Sequence, residues 1–492
     1  MFSFPGIDTI RDNTEVLRRY RGWRAVKTEN FLIKEERIPM EKIRFPKDFI
    51  FGTATSAAQL EGAAGEDGRG LSIWDAFSRI PGSIADGSTP EKACDMYHRY
   101  EEDLDLAKQM NLDSFRFSFS WSRILPEGKG KISRKGIDFY KRLIDGMRKR
   151  DLVPNATIYH WDLPYELERL GGWLNRDVVD WYGEYASILY REFGDTVPLW
   201  ATVNEPIATY VGYALGGFAP GFKLEKYGRQ ANHHILLAHG EGIRRFRQEN
   251  LKDSKAGIVV DVWQHYPLRP DNEKDCEIAR LENEKTFRSY LNPIFKGCYR
   301  QELLQYMEEK DCMPVIKDGD MERIHQPLDF FGLNCYNRVL DCAEPESAPD
   351  RKKNGGNFME NGMEFYPKAV YEAVEMLKKD YQLTIPIYIT ENGTCNCNEK
   401  VQEDGRIRDE QRIEYIRGNL YWIAKAIEEG ADIRGYYVWS LLDNWEWCAG
   451  FESRFGLVHV DFDTQKRTVK DSGRWYAGIA GSGEMDWKEG GL

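Results

Sequence analysis

From residue 45 onward the chain alternates short apolar runs with longer amphipathic ones. The runs at 49–54, 114–119, 153–159, 198–203, 256–262, 328–333, 387–390 and 433–439 are brief and rich in β-branched or aromatic residues, and read as buried strands. Helical spacing fills the intervals at 93–110, 135–150, 177–193, 230–249, 275–291, 297–307, 368–380 and 409–429, with a last helix over 469–480. In the first, Tyr97, Tyr100, Leu104, Ala107 and Met110 recur on one face. Strands alternating with helices predict an α/β fold of parallel strands joined by helical crossovers. Eight of them point to a closed (β/α)₈ TIM barrel, one catalytic domain over 45–480 with long βα loops. The alternative, a doubly wound open sheet, would want an early glycine-rich phosphate turn, and none is present. Residues 1–44 are polar and charged. They read as an N-terminal extension with a short helix at 14–20, which either wraps the barrel or makes a subunit contact in a homo-oligomer. Residues 481–492 read as a loose, flexible tail.

In such a barrel, chemistry sits at the carboxyl ends of the strands. Two strands there end in a glutamate: Trp200-Ala-Thr-Val-Asn-Glu-Pro206 and Ile387-Tyr-Ile-Thr-Glu-Asn-Gly393. Further polar or aromatic residues just past strand ends are Gln59, Arg116, His160, Asn204, Asn334 and Trp439; only the fifth strand looks silent. Two carboxyls facing each other across a cleft suit cleavage of a glycosidic bond. Close together they cannot both ionise easily, so one stays protonated. Glu391 is expected to be the ionised nucleophile, its charge favoured by Arg116. Glu205 is expected to be the acid that later becomes the base, which is the retaining mechanism and calls for carboxyls roughly 5–5.5 Å apart.

Five stretches together resemble glycoside hydrolase family 1, the β-glucosidase family, from residue 45 to about 480. They are 45–62, Thr202-Val-Asn-Glu-Pro206, Ile389-Thr-Glu-Asn-Gly393, Trp439-Ser-Leu-Leu-Asp-Asn-Trp-Glu-Trp447 and Arg454-Phe-Gly-Leu457. The resemblance implies an exo-acting β-glycosidase. It implies that Gln59 and Glu446 hold hydroxyls of the terminal sugar, His160 and Trp447 its 3-OH side, and Asn204 its 2-OH. Trp439 would floor the sugar subsite, Tyr336 would hydrogen-bond the nucleophile with Asn334 in support, and Trp161 and Phe455 would line the pocket. Glu446 would repel a phosphate, so unphosphorylated glycosides are expected, glucosides first, with galactosides and fucosides also admitted. Two positions depart from the pattern. Ala58 stands where many relatives carry tyrosine, and Met363 where many carry the tryptophan that stacks on the leaving group. The softer methionine predicts a broad apolar aglycone side, under a mobile loop at 341–361.

Composition narrows the partners. There are 68 Lys and Arg against 80 Asp and Glu, a net charge of −12, which argues against nucleic acid and anionic membranes. No apolar run approaches the ~18 residues of a membrane span, and no signal peptide is recognisable. Nine cysteines without a regular framework read as reduced thiols in a cytoplasm. Cys395-Asn-Cys397 matches no zinc spacing, His233 and His234 read as packing or rim residues on a helix rather than metal ligands, and the motifs call for no metal or cofactor. The glycosylation patterns at Asn155 and Asn392 fall inside a strand and in the site, so both are chance matches. Aromatics at 13% suit sugar-stacking platforms. Two rival readings compete with the exo-glycosidase. A barrel that binds glycans without cleaving them would lack one glutamate. An internally cutting polysaccharidase would lack the closed pocket that Gln59, Trp439 and Glu446 suggest.

Overall fold

The computed structural model describes residues 40–348, 351–352, 356–396 and 399–488. Eight parallel strands close on themselves: β1 (Ile50–Ala54), β2 (Ser114–Ser118), β3 (Val153–Tyr159), β4 (Leu199–Asn204), β5 (Lys255–Asp261), β6 (Phe330–Asn334), β7 (Ile387–Asn392) and β8 (Ile433–Trp439). They pair in sequence order around the barrel, with β8 against β1 completing the ring. In β2, β4, β6 and β7 every residue is buried, as parallel strands covered on both faces require.

The crossover helices follow the predicted rhythm because each carries one apolar stripe. On Val178–Phe193, the buried residues Val178, Tyr182, Tyr185, Ala186, Leu189 and Phe193 repeat at three- and four-residue steps and pack on the barrel. Helix Arg134–Arg148 starts where Ser133 accepts a hydrogen bond from the Gly136 amide at 3.2 Å, a side-chain cap. Between β5 and β6 the predicted single helix at 275–291 is two, Glu273–Lys285 and Arg288–Lys296. The chain leaves helical geometry at Thr286 (φ −100°, ψ −120°), which the apolar spacing does not reveal.

The strands bearing the two glutamates are irregular at their carboxyl ends. Pairing shifts register between Ala201 and Asn204 where β4 meets β5, and between Ile389 and Glu391 where β7 meets β6. Such irregularities re-aim side chains at barrel rims. Gly393 lies so close to the Trp439 carbonyl that a β-carbon there would come within 2.1 Å of it. The small residue that ends the β7 motif therefore lets the chain pass against the end of β8.

The tail is a correction. Glu484–Lys488 is a strand, antiparallel to Met40–Arg44, with Ile43 opposite Met485 and Glu41 opposite Trp487. Met485 and Trp487 alternate with charged neighbours, a two-residue period that buries one face. Trp487 stacks on Tyr421 of helix Glu410–Glu428 at 4.1 Å between centroids. Both chain ends of the described region thus form one small sheet. The helix expected at 14–20 lies outside the described residues. Of the loop at 341–361, residues 349–350 and 353–355 also lie outside. Its described parts pair Val339–Asp341 with His265–Pro267 and bridge Phe358 to Glu364.

Candidate active site

Every strand end contributes to one mouth. From β2, Arg116 donates Nη1 to Glu391 Oε1 at 2.6 Å and to the Thr390 carbonyl at 3.2 Å, and Nη2 to Asn204 Oδ1 at 2.7 Å. Arginine has only donors, so the atom of Asn204 it touches is the oxygen. The Asn204 amide nitrogen consequently faces His160 Nε2, at 3.1 Å. Burial and the neighbouring Arg116 hold the His160 imidazole far below its usual pKa, hence neutral. Its Nε2 accepts from Asn204, so the proton sits on Nδ1, which is buried and has no hydrogen-bond partner among the described residues.

Glu391 is held at both oxygens: Arg116 on one, and the Tyr336 hydroxyl at 2.9 Å on the other. Its neighbour Asn392 locks the strand end, donating to the Cys335 carbonyl at 2.6 Å and accepting from the Tyr436 hydroxyl at 2.7 Å. Glu205 is held differently. Asn334 Nδ2 donates to its Oε1 at 2.6 Å and to Asn204 Oδ1 at 3.2 Å, while Asn334 Oδ1 accepts from Thr390 at 2.7 Å. Asn334, expected in support of Tyr336 and Glu391, is bonded to Thr390, the residue before Glu391, and also reaches across the mouth to Glu205. Glu205 adopts a left-handed backbone (φ 43°), with its amide bonded to the Val259 carbonyl at 2.9 Å. A non-glycine residue there costs of order 1–2 kcal/mol, which the surrounding packing must offset.

Charge completes the contrast. Burial drives the Glu205 carboxyl well above its ordinary pKa, and the charges of Asp261 and Glu391 push it further, against Asn334 and Arg116. Glu205 therefore keeps its proton where an exposed glutamate would lose it. Asp261, at the end of β5, is itself raised to about 7, by burial first and then by Glu391. The fifth strand is not silent. Asp261 is its one chemical signal in sequence, a carboxylate closing the apolar run Ile258-Val-Val-Asp261.

A further wall of the mouth comes from the loop after β8. Trp439 donates its indole N–H to Glu446 at 3.0 Å, and burial raises Glu446 to about 7. Gln59 donates to Asn444 at 3.0 Å and accepts from Ser56 at 2.6 Å. That loop hangs on Asp443, which accepts from Lys470 at 2.7 Å, Arg454 at 2.9 Å and the Gly456 amide at 2.9 Å. Burial opposes the Asp443 charge, but Lys470 and Arg454 outweigh it and hold the carboxyl below its usual range. A cavity of about 420 Å³ is lined by His160, Trp161, Phe218, Tyr336, Glu391, Trp439, Glu446, Trp447 and Phe455. Trp161 is fixed by its indole N–H on the Asn204 carbonyl at 2.8 Å, and lies tilted against Trp447 with ring centroids 4.7 Å apart. Met363 is partly buried and packs against the group containing Tyr336, Trp439 and Phe455. Phe218 and Trp263, which lies over Tyr336 at 6.2 Å, were not foreseen; both sit in loops without periodicity. His233 and His234 are packing residues, bonded to Asp320 and to the Trp173 carbonyl. Asn155 and Asn392 are buried.

The family model described as glycosyl hydrolase family 1 matches residues 41–485. The chain is 42% identical to a β-glucosidase A of Acetivibrio thermocellus, over 89% of this chain and 98% of that protein. It is 41% identical to a 1,4-beta-D-glucan glucohydrolase of Thermotoga neapolitana, again over 89% and 98%. Among solved structures, a Thermotoga maritima β-glucosidase in complex with glucoimidazole superimposes with a TM-score of 0.85 at 40% identity, covering 89% of this chain and 99% of that one. The barrel and the sequence agree: the chain belongs to glycosyl hydrolase family 1 and is a glycoside hydrolase.

Proposed function

We propose that Glu391 is the nucleophile and Glu205 the acid/base of a retaining exo-β-glycosidase acting on unphosphorylated β-D-glucosides. One observation carries the assignment. Two strand-end glutamates meet at one barrel mouth, one paired with a guanidinium and a phenol, the other buried against an amide and a further carboxyl. In the first step a Glu391 oxygen bonds to the anomeric carbon while Glu205 gives its proton to the glycosidic oxygen, and the aglycone leaves as an alcohol. Esterified Glu391 no longer repels a charge on Glu205, which is now ionised. Glu205 takes a proton from water, the water oxygen bonds to the anomeric carbon, and Glu391 leaves as carboxylate, releasing the β-anomer.

The cavity chemistry supports a single terminal sugar. Trp439 presents an aromatic face, and Gln59, His160, Asn204 and Glu446 present groups that read hydroxyls. Asn204 keeps one amide N–H beyond its bond to His160, available to the 2-OH. A phosphate at C6 would meet the Glu446 carboxyl. Met363, Trp161, Phe218 and Phe455 give the leaving-group side an apolar lining, which suits aryl and other apolar aglycones. The relatives' names, β-glucosidase and glucan glucohydrolase, favour glucose at the terminal position. Among the described residues Cys94, Cys276, Cys298, Cys312, Cys335, Cys342 and Cys448 are free thiols, which favours a reducing compartment, the cytoplasm.

The test is chemical rescue. Glu391→Ala should lose turnover of an activated aryl β-glucoside by about 10⁴-fold or more. Azide should restore it and yield the α-glucosyl azide. Glu205→Ala with azide should yield the β-glucosyl azide. Near-normal activity of Glu391→Ala, or the opposite pairing of products, would sink the assignment.

A further inference from the structure

A third carboxyl shares the barrel interior with the catalytic pair. Ile258, Val260 and Val262 point outward into the apolar layer under the helices, so strand alternation turns Asp261 inward at the carboxyl end of β5. Asp261 stands opposite Asn334 in the β5–β6 register, and Asn334 is the residue that grips Glu205 at 2.6 Å. The Glu205 amide is bonded to Val259, two residues before Asp261 on the same strand. The Asp261 Oδ1 atom is buried and takes no hydrogen bond from any described residue. The cation of the site is committed elsewhere: Arg116 binds Glu391 and Asn204. The charged or titratable groups around Asp261 are Glu205 on β4, Glu391 on β7, Arg116 on β2, Cys335 after β6 and Tyr290 on helix Arg288–Lys296.

We propose that Asp261 is a positioning residue for the acid/base step, whose unneutralised carboxylate across Asn334 keeps the proton on Glu205 until the glycosidic oxygen takes it. The proposal rests on Glu205 being the acid. Among the charges near Glu205, Asp261 stands ahead of Glu391 in raising its pKa, after burial itself. The sign follows. Asp261 ionises as pH rises through about 7. Its new charge makes a second ionisation at Glu205 harder, so Glu205 stays protonated to higher pH. The alkaline limb of activity then lies higher than two glutamates alone would place it. When the glycosyl ester forms, the same charge makes ionised Glu205 the stronger base toward water.

The experiment is the pH dependence of kcat/KM on phenyl β-D-glucoside, a substrate whose leaving group needs the acid. Wild type and Asp261→Asn are compared, with Asp261→Ser as a second variant should the first fail to fold. Either folded variant is expected to move the alkaline limb down by about one pH unit, roughly a tenfold loss above the limb relative to below it. A purely structural role for Asp261 would lower kcat/KM evenly with the limb in place, and that result overturns the proposal. Glu205→Ala on an activated aryl glucoside separates the two readings. If its alkaline limb disappears while that of Asp261→Asn stays put, only the role of Asp261 falls. If the limb persists without Glu205, the acid assignment falls, and the role of Asp261 with it.

Discussion

The two sides of the barrel mouth hold the same kind of side chain and hold it in opposite ways. On the β7 side, Glu391 is gripped at both oxygens by donors, one of them a guanidinium. A buried carboxylate is tolerable only with such partners. On the β4 side, Glu205 has one amide donor, a strained backbone and a carboxyl neighbour. That surrounding suits a neutral acid and penalises its anion. The charge state of each glutamate is thus set by what the adjacent strands deliver, not by the residue. Asn204 ties the halves together, since its oxygen accepts from both Arg116 and Asn334. Moving either glutamate therefore disturbs the other.

The contrast can be broken from either side, and the largest effect should come from its cation. Arg116→Gln leaves Glu391 buried without a counter-charge. We expect kcat/KM on an aryl glucoside to fall by about 10³-fold. A loss of less than about tenfold would show that Arg116 does not support the nucleophile. On the other side, Glu205→Ala should cost about 10²–10⁴-fold on phenyl β-D-glucoside and far less on a dinitrophenyl glucoside. Equal losses on both substrates would contradict proton donation. Smaller effects sharpen the comparison. Tyr336→Phe and Asn334→Ala each remove one hydrogen bond and should cost about 10- to 100-fold. Tyr336→Phe should do so whatever the leaving group, whereas Asn334→Ala should hurt the poor leaving group more. A control lies far from both glutamates. Trp487→Ala empties the stack on Tyr421 and should lower stability by about 3 kcal/mol, read as an earlier thermal transition, without changing kcat.

Much of this was legible in the chain because the barrel writes itself periodically. Eight apolar runs separated by amphipathic helices specify the closed sheet, and residues that end those runs must converge at one face. Gln59, Arg116, His160, Glu205, Glu391 and Trp439 were found by that rule alone. Tyr336, Glu446, Trp447 and Phe455 came from the family resemblance, since they stand in loops whose course no periodicity dictates. What the pattern could not supply was pairing across the mouth. Which glutamate Asn334 touches depends on which strand lies beside which, and on two register shifts that strand spacing does not encode. Asp261 does not stand out in the sequence because a single aspartate after the apolar run Ile258-Val-Val reads as the strand's exit to water. The terminal strand 484–488 was missed for a related reason. Five alternating residues are too few to separate from a tail until their partner, 40–44, is seen beside them.

The most direct test of the account is to trap the nucleophile. The enzyme is incubated with an activated 2-deoxy-2-fluoro-β-D-glucoside, which forms the glycosyl ester faster than water can release it. The protein is then cut, and the labelled peptide is sequenced by mass spectrometry. The account predicts time-dependent inactivation with one label, on Glu391 in the peptide containing Ile389-Thr-Glu-Asn-Gly393. A label on Glu205, or a fully inactivated enzyme with no covalent sugar, would contradict it.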